Sequence, residues 1–294
     1  MLEKKKNNKH FYGWKKDKFD ARDYKMKLSA PDTKIPDNYD PRGKRLEPPV
    51  YEQELSDCTA NSYNYSALVD LYGEGDIVEL SRLFNYYNAR YEDQLADDGS
   101  TEDDNGSYSR SIIKAAAKYG TCREDKWPYV DAGNKYKIKP SADAYKDAEN
   151  YKVNKYFRIS NLFDMKVALS RGIPCVFGVT LFPGAESQTA QITGVIPMPK
   201  DGEQPIGGHA IAATGYLKGG VDGPCVIFRN SWGSNWGQGG YGIISEEYFN
   251  KYADDIWGVV HVTDPAEIGI KIDVPVEKSN IFTKIWNWIK SLFA

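Results

Sequence analysis

The chain has 294 residues, of which 41% are hydrophobic and 27% charged. That supplies a core for one large domain or two modest ones and excludes wholesale disorder. The formal net charge of −3 is no nucleic-acid footprint, and no run nears the roughly 18 uninterrupted apolar residues of a membrane-spanning helix.

The first 28 residues hold ten Lys/Arg against four Asp/Glu. Met1-Leu2-Glu3-Lys4-Lys5-Lys6 is followed by no apolar h-region, so no secretory signal peptide is expected. Pro31, Pro36 and Pro41 mark residues 1–45 as an extended N-terminal arm rather than a packed unit. From Cys58 to Tyr72 the pattern changes. Ala60, Tyr63, Ala67 and Leu71 recur at three- and four-residue steps, which predicts a helix. Ser56 or Asp57 would cap its start and Gly73 would end it. Residues 91–109 are acidic and contain no Lys or Arg, and read as a solvated loop. An EF-hand register fails there, because it puts Thr101 first and Ile112 last where carboxylates are needed. A second helix is expected over 109–119, through Ile112, Ile113, Ala116 and Ala117, stopping at Gly120.

Beyond residue 150 the texture becomes β-rich. Short apolar runs at 174–180, 209–216, 224–229 and 240–244 are separated by Gly, Pro and Asp, and 218–223 reads as a hairpin connection. Helices first and strands later predict an α+β chain of two lobes. The expected division is 1–45 arm, 46–150 helical lobe, 151–264 β lobe and 265–294 tail. In the tail, Ile281, Phe282, Ile285, Trp286, Ile289, Leu292 and Phe293 recur at helical spacing. Such an amphipathic helix would dock on the body, fill a partner's groove or lie on a membrane surface.

Four cysteines (Cys58, Cys122, Cys175 and Cys225) with no close spacing suit free thiols in a cytoplasmic or other reducing compartment. Cys58 sits in the first turn of its predicted helix. Unpaired N–H groups and the positive dipole end there favour a thiolate. His209 follows Gly207-Gly208 into a strand, and the glycines leave room for another backbone to approach. Asn230-Ser231-Trp232-Gly233 leads from a strand into a Trp/Gly loop. The other cysteines read as structural thiols, and His10 and His261 as lacking partners of the required type.

Cys58, His209 and Asn230, in that order, resemble the papain family of cysteine peptidases. His209 lies 151 residues and Asn230 172 residues after Cys58; the family places both about 130–150 residues downstream. Asn105-Gly106-Ser107-Tyr108 and Trp127-Pro128-Tyr129 are similar to the family's cleft wall and its following turn. Gly13-Trp14 through Arg22-Asp23-Tyr24 is similar to the arm of short-leadered bacterial-type members.

The resemblance implies a papain-like α+β fold, with a helical lobe facing an antiparallel β-barrel-like lobe and the active site in the cleft between. It implies a thiol protease, a hydrolase of peptide bonds working through an acyl-enzyme on Cys58. His209 would be the base, Asn230 would orient it, Trp232 would shield that pair, and Gln53 with the Cys58 N–H would form the oxyanion hole. Asn105, Gly106, Ser107, Tyr108, Gly208 and Trp232 would line the peptide cleft. It implies a polypeptide substrate, no nucleic acid, and no metal or organic cofactor.

Several residues depart from the family pattern. Gln53 precedes Cys58 by five residues rather than the usual six. Ser56-Asp57 stands where Gly-Ser is usual, and an anionic Asp57 would raise the thiol's pKa. Leu55 replaces a common disulfide cysteine, and Ser107 replaces a glycine and would narrow its subsite. These departures leave two rivals: a papain-fold binding or scaffold protein with weakened catalysis, and an acyl transferase using the same residues.

Overall fold

The computed structural model describes residues 10–28, 33–221, 223–261, 265–267 and 269–273. The expected tail helix at 281–293 lies outside the described residues.

The N-terminal arm carries β1 (Trp14–Lys15) and β2 (Lys25–Leu28). The helical part follows: α1 (Cys58–Gly73), α2 (Arg82–Leu95), β3 (Ser107–Tyr108), α3 (Ser109–Tyr119), α4 (Ala132–Lys135) and α5 (Ala142–Ala148). Then come β4 (Lys155–Ile159), α6 (Leu162–Ser170), β5 (Cys175–Leu181), α7 (Gln188–Thr193), β6 (Val195–Ile196), β7 (Gly207–Gly220) and β8 (Gly223–Arg229). The chain continues through β9 (Tyr241–Ser245), α8 (Glu246–Tyr252), β10 (Ala253–Val260) and β11 (Ile270–Asp273).

Nine strands form one sheet in the order β11-β2-β4-β10-β5-β7-β8-β9-β6. Its pairs are antiparallel except β2–β4 and β6–β9. The order is linear, so the β part is an open, mostly antiparallel sheet and no closed barrel forms among the described residues. The fold is papain-like and α+β.

Two large apolar cores form. One lies among β4, β5, β7, β8 and α6, with Phe157, Met165, Phe177 and Phe228 at its centre. The other lies among α1, α2 and α3 and is closed by Val176, Trp257 and Val259 of the sheet. Helix α1 belongs to the second core, with Tyr65 and Val69 packed on Ala212 of β7, and is buried almost all round, not on one stripe. Several of its polar residues are therefore satisfied internally. Asn61 donates to the Asp57 carbonyl, Ser66 to the Ser62 carbonyl and Asn64 to the Leu80 carbonyl.

Helix α2 occupies part of the stretch expected to be loop, since it runs on to Leu95. Its sequence is rich in Tyr and Asn, so the apolar period is faint. Tertiary bonds hold it instead: Arg90 donates to the carbonyls of Thr101, Asp103 and Tyr136.

The arm is docked. Strand β1 pairs in parallel with β3, and β2 sits inside the large sheet. Between them the Asp17 N–H donates to the Asp255 carboxylate, and the Trp257 indole N–H donates to Asp17. Arg158 bridges Asp17, Asp23 and Asp255 at 3.0, 3.2 and 3.1 Å.

Candidate active site

Cys58 opens α1. Asp57 takes the N-cap position but its side chain makes no cap bond. The Asp57 carboxyl is fully buried, beside the Tyr129 side chain. Arg82, sandwiched between the rings of Tyr51 and Tyr129 at 4.0 and 3.8 Å, supplies nearby positive charge. Burial still dominates and pushes the Asp57 carboxyl up to about 7.

The Cys58 sulfur is fully covered. It accepts a hydrogen bond from the Ala210 N–H at 3.3 Å, and the Gly13 N–H faces it as well. Burial pushes the thiol up to about 12, against the two N–H groups and with a contribution from Asp57. Cys122, Cys175 and Cys225 are buried free thiols elsewhere in the fold.

The register of β5 on β7 sets Val179 opposite His209 and Gly178 opposite Ala210. The His209 Nε2 meets the Asn230 Oδ1 at 2.8 Å. An amide oxygen only accepts, so Nε2 carries the proton and Nδ1 holds the lone pair. The buried Nδ1 has no partner. Burial lowers the His209 pKa to about 4, despite the opposing bond to Asn230. Thiol and imidazole are therefore both neutral near pH 7.

Trp232 stacks on His209 with centroids 4.8 Å apart, covering the bond to Asn230. Its other face is covered by His10, stacked at 4.0 Å. His10 in turn bonds Glu186 at 2.9 Å, and the Tyr12 hydroxyl donates to the same carboxylate. Sequence reasoning gave His10 no role. Its signal was only its place in an arm whose path the sequence does not reveal.

Gln53, five residues before Cys58, is buried. Its Nε2 donates to the Leu55 carbonyl at 2.8 Å and reaches the arm's Phe11 carbonyl at 3.3 Å, and its Oε1 accepts from the Ser231 hydroxyl at 2.5 Å.

Gly106 has φ +75°, and a Cβ there would overlap the Gly13 carbonyl. The Ser107 N–H donates to that carbonyl at 2.9 Å. The Ser107 hydroxyl turns inward to Thr59 Oγ1 at 2.6 Å. Tyr108 is half-buried, Asn105 is exposed, and Gly208 lies under the Trp14 backbone. Among the described residues no three His, Cys, Asp or Glu side chains could hold a metal ion. None of the described helices is long and apolar enough to cross a membrane.

The family model described as papain family cysteine protease matches residues 91–254. That span includes His209 and Asn230 and begins after Cys58. An uncharacterized peptidase C1-like protein of Acanthamoeba polyphaga mimivirus is 37% identical over 225 residues, covering 72% of this chain and 69% of the relative. The crystal structure of xylellain, a cysteine protease from Xylella fastidiosa, superposes with a TM-score of 0.76 at 31% identity, covering 87% of this chain and 97% of that one. Bromelain of Ananas comosus, at 17% identity and a TM-score of 0.55, covers 77% of this chain and 99% of its own and shares the fold. The chain is a cysteine-type peptidase and belongs to the papain family of cysteine proteases.

Proposed function

We propose that the chain hydrolyses peptide bonds through Cys58, His209 and Asn230, and that residues 10–15 hold it in a latent state. The observation that carries this reading is the His209–Asn230 bond, which leaves Nδ1 as the free base while the next residue's N–H touches the Cys58 sulfur.

In the reaction the sulfur attacks the scissile carbonyl carbon as the thiol proton passes to Nδ1 of His209. The C–N bond then breaks, and the imidazolium returns that proton to the leaving amine. This leaves a thioester on Cys58. Water attacks the thioester and loses a proton to Nδ1, and the acid product departs with the thiol restored. Gln53 Nε2 and the Cys58 N–H would stabilise the oxyanion, a contribution on the order of 10²–10³ per donor. In the latent state the Phe11 carbonyl takes that Gln53 donor.

Three contacts support latency. The Gly13 backbone passes between Ser56 and Gly106, His10 covers Trp232, and Tyr12 sets its edge against His209 with centroids 6.1 Å apart. A substrate needs the same volume, so the arm must move before chemistry. We also place the boundary between the lobes near residue 150, where the α5 segment gives way to β4.

The test is turnover of a mixed peptide library by the full chain, by Cys58→Ala and by His209→Ala. The reading expects slow cleavage by the full chain and none by either variant. Undiminished cleavage by Cys58→Ala contradicts it.

A further inference from the structure

One buried acid beside the nucleophile has no part in the reaction steps above. Asp57 and Cys58 are consecutive, and both are fully buried. With water excluded, charges in that region are weakly screened and felt strongly by their neighbours. The carboxyl sits at the helix N-cap position without making the side-chain cap bond for which aspartate is usually favoured there.

Two side chains favour the charged carboxyl. Tyr129 sets its hydroxyl against the carboxyl and accepts the Glu54 N–H at 3.2 Å. Arg82, held between the rings of Tyr51 and Tyr129, gives one N–H to Asn61 Oδ1 at 2.9 Å and attracts the carboxylate from nearby. Asn61 Nδ2 in turn donates to the Asp57 carbonyl at 3.0 Å, tying this cluster to the start of α1. Burial opposes the charge, and so does Asp104, whose carboxylate accepts from the Ser56 N–H at 3.0 Å and the Tyr86 hydroxyl at 2.6 Å. These influences leave the carboxyl changing charge at about 7.

The sulfur feels that change. The Ala210 N–H at 3.3 Å and the Gly13 N–H favour a thiolate on Cys58, and a carboxylate on Asp57 disfavours it. Gly13 leaves when the arm moves. Arg82, Tyr129, Asp104 and Tyr86 lie outside the arm, so the influence of Asp57 persists in the open chain.

We propose that Asp57 sets the pH dependence of the nucleophile: the neutral carboxyl permits the Cys58 thiolate, and the carboxylate suppresses it by placing a second negative charge in the same buried region. The proposal rests on the peptidase reading. Asp57 acts only through the sulfur and is a positioning residue for its proton.

The test is alkylation by iodoacetamide, which needs no turnover. The full chain and its Asp57→Asn variant are treated from pH 5 to 9, and the rate at Cys58 is followed by peptide-mapping mass spectrometry. Lowering a thiol's pKa by one raises its thiolate about tenfold, and the weaker nucleophile trims the gain in rate to about threefold. The Asn-to-parent rate ratio should therefore be about one at pH 5 and reach about threefold or more by pH 9. His209, Arg82, Tyr129, Asp104 and Tyr86 are common to both chains, so their titrations cancel in the ratio. A ratio that stays constant or falls with pH overturns the proposal. If Asp57→Asn does not fold by circular dichroism, the parent profile decides alone. Its log rate should step below the low-pH line as pH passes through 7, and one unbroken line overturns the proposal. Failure to label Cys58 at any pH in either chain would instead defeat the peptidase reading on which the proposal stands.

Discussion

The carbonyl of Gly13 accepts a hydrogen bond from the Ser107 N–H at 2.9 Å, and this bond begins the parallel pairing of the arm with the cleft wall. Gly13 is the only residue type that fits there, because a Cβ would overlap the Ser56 carbonyl. Gly13→Ala should therefore dislodge the arm while leaving the two cores untouched. Overpacking of this kind costs about 1–3 kcal/mol, which shifts the covered-to-open ratio by about 5- to 150-fold. Peptide turnover should rise on that scale. Unchanged turnover in a folded Gly13→Ala chain counts against latency.

Arg158 joins the arm to the sheet through three carboxylates, all with side chains at most 3% exposed. Burial holds the Asp17 and Asp255 carboxyls above their ordinary values even with the guanidinium present. Arg158→Met would remove the cation that bridges them in the interior, a loss of about 3–5 kcal/mol. Urea unfolding should register that drop, with an increase in turnover from arm release in the chains that remain folded. A change under about 1 kcal/mol, within the range of an exposed ion pair, would mean that the network does not bind the arm.

Acid should open the cleft. Covered, His209 has its pKa lowered to about 4 by burial; uncovered, it returns toward the ordinary value near 6.5. Between these values the open state binds a proton that the covered state refuses, so covering is fully favourable above 6.5 and weakens as pH falls toward 4. Glu186 adds to this. Its bonds to His10 and Tyr12 hold its carboxyl below the ordinary 4.5, and that stabilisation is lost as pH falls further. Fluorine NMR of the fluorotryptophan-labelled chain, assigned through Trp14→Phe, should show the Trp14 signal moving from buried to free between pH 7 and 4. A signal constant over that range contradicts the linkage.

Asp57 gives the opposite pH dependence. Its carboxyl is raised to about 7 by burial, countered by Arg82 and Tyr129 and reinforced by Asp104. Its stabilising effect is complete below about 4 and lost as pH rises through 7. Asp57→Asn removes this titration, so its Tm relative to the parent should climb between about pH 4 and 7 and level off above that. A difference that stays constant with pH would show that the carboxyl does not titrate there.

The sequence made helix α1 and the late strands legible, because each rests on local pattern. Helix α2 was hidden for a physical reason. Arg90 and Asn88 lie inside the fold and are satisfied by carbonyls, three of them in distant loops, so polarity there does not mean exposure. The arm's extended character followed from its prolines and charges. Its path across Cys58 did not, since that path depends on missing Cβ atoms at Gly13, Gly106, Gly178 and Gly208, whose partners are distant in sequence. The inward turn of Ser107 is similarly set by Thr59, 48 residues away.

The central claim is that the sulfur of Cys58 does the chemistry once residues 10–15 leave it. Intact-mass and peptide-mapping spectrometry after brief exposure to a peptidyl electrophile tests this on the parent, Gly13→Ala and Gly13→Ala/Cys58→Ala chains. One adduct on Cys58, slow in the parent, fast in Gly13→Ala and lost in the double variant, is the result predicted. Modification of Cys122, Cys175 or Cys225 instead, or equal rates in parent and Gly13→Ala, would contradict the account.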